Sequence, residues 1–159
     1  MERHPHRQDQ VLNPEELTES FEPIVGQSVT LRTLRREDVD IEAAFLTGLS
    51  AESRHNRLLG GMIRITREYV EKLTTVDYTR DMALAAALML DGREVLIGVA
   101  RYVLEPGGKA CEFALVIADE WQGRGIGRAL LDEFGQRAVV EDDEGRHVGL
   151  PGELGAQCF

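Results

Sequence analysis

The chain has little cysteine: Cys111 and Cys158 are the only two in 159 residues. Two cysteines cannot build a disulfide framework, and a reducing cytoplasm is the default setting. Prolines number five and aromatic residues make up 6%, with no repeating glycine pattern, so a collagen-like class is excluded. Long hydrophobic runs are missing too. The longest covers 82–90 between Asp81 and Asp91, well short of the ~18 apolar residues of a membrane helix. Residues 1–7 carry charge with no apolar stretch behind them, so a secretory signal and a membrane partner are not expected. Basic residues are outnumbered, 18 against 28 acidic, for a formal charge of −10. Nucleic-acid binding needs clustered lysine and arginine, so nucleic acid is not an expected partner. Cationic groups such as amines suit the acidic surface better.

What is present is ordinary globular composition, 43% hydrophobic and 29% charged. The length fits one domain with its own core. Residues 1–27 are polar, hold Pro5, Pro14 and Pro23, and lack a sustained period. They read as a mobile arm with a short helix over 15–20. His4 and His6 lie in this arm, where solvated side chains are commoner than a metal pair, and no metal is expected. Val29-Thr30-Leu31-Arg32-Thr33-Leu34 alternates like a half-buried strand. Glu37 and Asp38 then open a helix at the end its dipole favours. Ser50 and Thr66 stand as caps for two further helices.

The stretch over 82–90 has helical propensity, yet it runs into Asp91-Gly92, the strongest short hairpin signal. Two strands joined by a tight turn are therefore expected, and a third strand over 110–118 completes a meander. From Gly125 the period becomes helical, with Ile126, Leu130, Leu131 and Phe134 on one face. Beyond Ala138 the pattern fails, and residues 139–159 read as an atypical Gly-rich, acidic tail with no defensible strand.

The informative segment joins the last strand to that helix: Asp119-Glu120-Trp121-Gln122-Gly123-Arg124-Gly125-Ile126-Gly127-Arg128. Alternate glycines allow close backbone approach and turn several N–H groups one way, at a helix start where an anion is favoured. Arg124 and Arg128 add charge. This is the pattern of a phosphate cradle. A Rossmann fingerprint needs a different glycine spacing after a first strand, and a Walker loop needs Gly-Lys-Ser/Thr. A glycine-rich helix start chosen only for packing is the bland alternative, which the two arginines disfavour. Trp121 reads as a seal for the loop and Cys111 as a small buried hydrophobe. Nothing singles out Tyr69, Tyr78 or Tyr102 as a proton donor.

Glu112 is an oddity, a carboxylate in an otherwise apolar strand. Burial there would raise its pKa toward that of a general base. Equally, it could face solvent or pair with Arg101 on the neighbouring strand.

Gln122-Gly123-Arg124-Gly125-Ile126-Gly127 resembles the Gln/Arg-x-x-Gly-x-Gly/Ala acyl-CoA signature of the GNAT superfamily of N-acetyltransferases. Further stretches resemble the GNAT module of bacterial protein lysine acetyltransferases that act on acyl-CoA synthetases. They are residues 31–38, 49–54, 77–84, 97–101 and 112–116. The resemblance implies an α+β fold, a mixed and mainly antiparallel sheet flanked by helices, over a domain at 28–138. It implies acetyl-CoA as acyl donor and an amine acceptor, with a protein lysine favoured. The pyrophosphate would lie on Gln122, Gly123, Arg124, Gly125, Ile126, Gly127 and Arg128. The pantetheine arm would pair with Leu115, Val116 and Ile117, and Glu112 would be the catalytic base. The family's closing strand, helix and hairpin are not matched after 138, so the fold reads as truncated. Either the tail comes from a shifted frame or a second copy completes the sheet. The alternatives are an acyl-CoA-binding regulatory module without turnover and an interaction domain whose loop binds nothing.

Overall fold

A computed structural model describes residues 18–24, 26–57, 64–78, 81–104, 106, 111–137, 139–141 and 147–149. Five strands form one sheet: β1 (Thr18–Ile24), β2 (Gln27–Thr33), β3 (Asp81–Leu90), β4 (Arg93–Leu104) and β5 (Cys111–Ile117). They lie in sequence order, and every neighbouring pair is antiparallel. The expected sheet was mixed; all of its described pairings are antiparallel. Three helices, α1 (Val39–Gly48), α2 (Ala51–Arg57) and α3 (Arg67–Thr74), fill the connection from β2 to β3. A fourth, α4 (Ile126–Arg137), follows β5. No helix among the described residues is long and apolar enough to cross a membrane.

The sheet has a core on each face. Leu34, Phe45, Leu46 and Val70 pack against Ala83, Ala85, Ala87 and Val99 on the side of α1 and α3. Met82, Leu84, Ala86 and Leu88 pack with Ile126, Leu130 and Phe134 on the side of α4. This explains the unbroken apolar run over 82–88: a central strand covered on both faces has no polar side to show. Helical propensity loses there because Asp91 and Gly92 both take positive φ, 48° and 75°. That is the turn geometry that matches strand twist in a two-residue hairpin.

Strand β4 carries an irregularity. Gly98 pairs with Ala86 while Leu96 pairs with Ala87, so Ile97 is the extra residue of a bulge. The carbonyl of Ile97 accepts from the N–H of Ala118 at 2.8 Å, which carries the β4–β5 ladder one residue past β5. Gly98 sits where no side chain fits. A Cβ there would lie 2.6 Å from Ile117 Cδ1, 3.3 Å from Leu130 Cδ1 and 3.4 Å from the Val116 carbonyl oxygen. Gly98→Val is therefore expected to destabilise the protein by about 1–3 kcal/mol through overpacking, read as a lower urea midpoint. An unchanged midpoint would contradict this packing.

At the opposite end of β2, Arg32 is 5% exposed and gathers two carboxylates. Its guanidinium reaches Asp38 at 2.7 and 2.9 Å and Glu94 at 2.6 Å. Burial works against the charge, and the bonds to Asp38 and Glu94 outweigh it, so the proton is held more tightly than in a free arginine. Asp38 stands at the start of α1 as its sequence position suggests. Its carboxylate serves Arg32 and the N–H of Arg35, at 2.7 Å, rather than capping the helix. Ser50 and Thr66 do cap: their hydroxyl oxygens accept from the N–H groups of Ser53 at 3.1 Å and Tyr69 at 3.2 Å.

Two expectations about the chain's ends need correction. Residues 18–24 belong to strand β1, not to a mobile arm or helix. It is an edge strand, where Pro23 and flanking charges are tolerated, and those residues hide the strand pattern. Within the expected tail, β6 (Val139–Glu141) and β7 (His147–Gly149) form a two-stranded antiparallel pair. Three-residue strands are too short to show a period. His4, His6, Cys158 and residues 150–159 lie outside the described residues.

Candidate active site

The site is built where β5 ends. After Ile117 the chain makes a 3-10 turn at Asp119–Trp121, then a loop, and enters α4 at Ile126. Gly123 and Gly125 have φ of 72° and 83°, a region that L side chains rarely adopt. The N–H of Ala129 bonds to the carbonyl of Gly125 at 3.0 Å, so the helix ladder begins there. The N–H groups of Ile126, Gly127 and Arg128 form the open first turn. Among the described residues, no hydrogen bond uses the N–H groups of Gly123, Arg124, Gly125, Ile126, Gly127 or Arg128. Open donors at the positive end of a twelve-residue helix suit a diphosphate. Gly127 faces the end of β5, where a Cβ would make ordinary contact, 3.7 Å, with Ile117 Cγ1 and Leu115 Cδ2.

The arginines frame this cradle. Arg124 lies over the buried ring of Trp121, 4.9 Å from its centroid, so Trp121 both seals the loop and supports a cation. Arg128 is exposed and meets Asp132 one turn on at 3.5 Å, a weak surface pair.

Gln122 has a different task from the loop glycines. Its amide Nε2 donates to the carbonyl of Ile117 at 3.0 Å, folding the loop back onto the end of β5. Asp119 anchors the same turn from the other side. Its carboxylate accepts from the Ser50 N–H at 2.9 Å, the Ser50 hydroxyl at 2.7 Å and the Ser53 hydroxyl at 2.9 Å. These bonds, led by the Ser50 N–H, hold its carboxyl below the usual aspartate range. Sequence reading marks Ser50 as a helix cap and as part of the family-like stretch 49–54, and assigns it no distant partner. A lowered folded-state pKa stabilises above the unfolded value and loses its effect as pH falls through the folded one. The gap in denaturation midpoint between the unmodified protein and Asp119→Asn should therefore narrow as pH drops below ~4. A gap that persists unchanged into acid would contradict the assignment.

Strand β5 is an edge of the sheet among the described residues. The Ala118 N–H points to β4, so by alternation Val116, Ala114 and Glu112 aim their backbone groups at β4 as well. Leu115 and Ile117 aim theirs outward. Of the three residues expected to pair with pantetheine, Leu115 is fully presented, and Ile117 offers its N–H while its carbonyl is taken by Gln122. Val116 is the correction: its backbone faces β4 and its side chain is buried.

Glu112 opposes Val103 and is exposed. Of the alternatives left open for it, the solvent-facing one is found. It does not pair with Arg101, whose guanidinium donates to the Leu73 carbonyl at 2.7 Å and Asp81 at 3.3 Å. By alternation Glu112 shares the sheet face of Val116, on which α1 and α3 pack. Helix α2 packs against β5 itself. Tyr78, at φ 55°, donates its hydroxyl to the carbonyls of Leu34 and Ala83, the latter at 3.2 Å, and burial pushes its phenol up. Tyr102 is in the core, edge-on to Phe134 with centroids 5.8 Å apart. The side chain of Cys111 lies outside the described residues. No three His, Cys, Asp or Glu side chains gather as metal ligands among the described residues.

Known proteins match this chain in sequence and fold. The model of the acetyltransferase (GNAT) family matches residues 57–147, from the end of α2 through β7's first residue. An acetyltransferase of Pseudomonas aeruginosa is 35% identical over 106 residues, covering 67% of this chain. The chain spans 57% of that relative's length. The GNAT domain of S. lividans PAT superposes with a TM-score of 0.63 at 25% identity, covering 76% of this chain and 71% of that one. A GNAT-family acetyltransferase from Streptococcus pneumoniae shares the fold at a TM-score of 0.53 and 22% identity, over 66% and 63% of the two chains. With a family model covering more than half its length and laid across the glycine loop, this chain belongs to the GNAT acetyltransferase family.

Proposed function

We propose that the protein is an N-acyltransferase that moves an acetyl group from acetyl-CoA to an amine, with a protein lysine as acceptor and the cytoplasm as its place. The observation that carries this reading is the run of open N–H groups over 123–128, set beside the outward backbone of Leu115. The pyrophosphate would rest on Gly123, Arg124, Gly125, Ile126, Gly127 and Arg128, with Gln122 shaping the loop. The amide-rich pantetheine arm would add to the β5 edge as an extended peptide does. From Ile117 back to Glu112 the strand advances ~17 Å at ~3.3 Å per residue, which carries the thioester away from the loop toward the carboxylate.

Glu112 is the proposed general base. The acceptor arrives as an ammonium, and the Glu112 carboxylate takes one proton directly or through water. The free amine attacks the thioester carbonyl, the C–N bond forms, and the C–S bond breaks. The second amine proton goes to the departing thiolate, leaving an amide, free coenzyme A and one proton. No covalent enzyme intermediate is required. The exposed position of Glu112 suits a large acceptor whose own surface closes over it.

A second reading, an acyl-CoA-binding module without turnover, is favoured by the exposure of Glu112, which the structure does not enclose in a site that would tune it as a base. A second copy pairing along the open β5 edge is part of the first reading; it would compete with pantetheine for Leu115 unless it binds further along the strand. Thiol release from acetyl-CoA, measured with lysine peptides, small amines and acyl-CoA synthetases, separates the two. Release that depends on a lysine-bearing protein supports the transferase. Coenzyme binding with no release from any amine supports the module.

A further inference from the structure

The loop that would hold acyl-CoA is tied to α2 by a continuous chain of side-chain hydrogen bonds. Gln122 Nε2 meets the Ser53 hydroxyl at 3.4 Å and the Ile117 carbonyl at 3.0 Å. The Ser53 hydroxyl donates to Asp119 Oδ1 at 2.9 Å, and Ser50 meets the same carboxylate through both its N–H and its hydroxyl. Ser50 also caps α2 through the Ser53 N–H. One end of the chain is therefore the acyl-CoA loop and the other is the start of a helix that packs on β5, the strand that carries Glu112.

A seven-residue helix does not hold itself in water. Its position depends on its cap and its neighbours, and the cap here is shared with the loop. Anything that fixes the loop then fixes α2, and the coupling must act equally in both directions.

We propose that Ser50, Ser53 and Asp119 are positioning residues that couple occupation of the acyl-CoA loop to the ordering of α2, so that the donor prepares the acceptor side of the cleft. The inference rests on the acyl-CoA reading above. None of the three residues needs to touch the reacting atoms. Their effect is to make donor binding and acceptor-side order a single event.

Hydrogen–deuterium exchange of the full chain, with and without coenzyme A, tests this. In the unmodified protein, coenzyme A should slow exchange both over 123–128 and over 51–57. In Asp119→Ala, coenzyme A should still protect the loop, with apparent affinity weakened by roughly 5-fold, the low end of coupling between sites, while α2 gains no protection. Asp119→Asn, which keeps an acceptor for the Ser50 N–H, should recover part of the effect on α2. Ser53→Ala removes the link to Gln122 and should weaken the protection of α2 without abolishing it, since Ser50 keeps both of its bonds to Asp119. Asp119 is exposed and Ser53→Ala removes only a hydroxyl from a buried site, so these variants should fold, as circular dichroism will check. Loop protection without any change in α2 of the unmodified protein overturns the coupling and leaves the acyl-CoA reading standing. Equal α2 protection in the unmodified protein and in Asp119→Ala overturns it as well. No protection of either segment overturns the acyl-CoA reading and the coupling with it.

Discussion

A Gly125→Val protein is expected to show no thermal stabilisation by coenzyme A. The unmodified protein, at a coenzyme concentration ~100 times its Kd, should gain ~2.7 kcal/mol, a rise in Tm of roughly 5–10 °C for a chain this size. Space is not the obstacle to valine, since nothing lies within 4 Å of a Cβ placed on Gly125. The obstacle is the backbone. Gly125 has φ of 83°, and holding a β-branched residue there costs of order 1–3 kcal/mol. The loop relieves that cost by rotating, and rotation turns the N–H groups that follow away from their common focus. The loss is therefore one of ligand geometry, and circular dichroism should show the fold retained. A Gly125→Val protein that coenzyme A stabilises as well as the parent would contradict the cradle.

Glu112→Gln should behave in the opposite way. Glutamine keeps the shape of the side chain and cannot take the ammonium proton. Turnover is expected to fall by 10²–10⁴, the usual contribution of a general base, while the thermal shift with coenzyme A is preserved. The two variants thus separate binding from chemistry along one strand and its following loop. Turnover at the parental rate in Glu112→Gln would remove Glu112 from the mechanism and leave the cradle untouched.

Much of this was legible in the residues. Asp91-Gly92 announced the β3–β4 hairpin because its positive φ values have few other uses. The glycine loop was legible because its spacing reports a backbone conformation directly. Ser50 and Thr66 were legible as caps because their bonds are to the local chain.

What stayed hidden depended on distant packing. Alternation puts neighbouring residues of β5 on opposite faces, but which positions are covered depends on where α1, α2 and α3 lie over the sheet. The sequence pattern could not show that Glu112 is exposed. Val116 was grouped with Leu115 and Ile117 because the resemblance assigns the pantetheine arm to that stretch of strand as a whole. Only the direction of the Ala118 N–H reveals which of them present backbone to the open edge. Strand β1 was masked by Pro23, which an edge strand tolerates. The bond between Asp119 and Ser50 joins residues far apart in the chain, and no local pattern signals it.

A crystal structure of the protein grown with coenzyme A tests the central claim most directly. The diphosphate is expected within hydrogen-bonding distance of the amides over 123–128, with the pantetheine arm extended past Leu115. Coenzyme A bound elsewhere, with those amides facing solvent or closed by the protein's own side chains, would contradict the account.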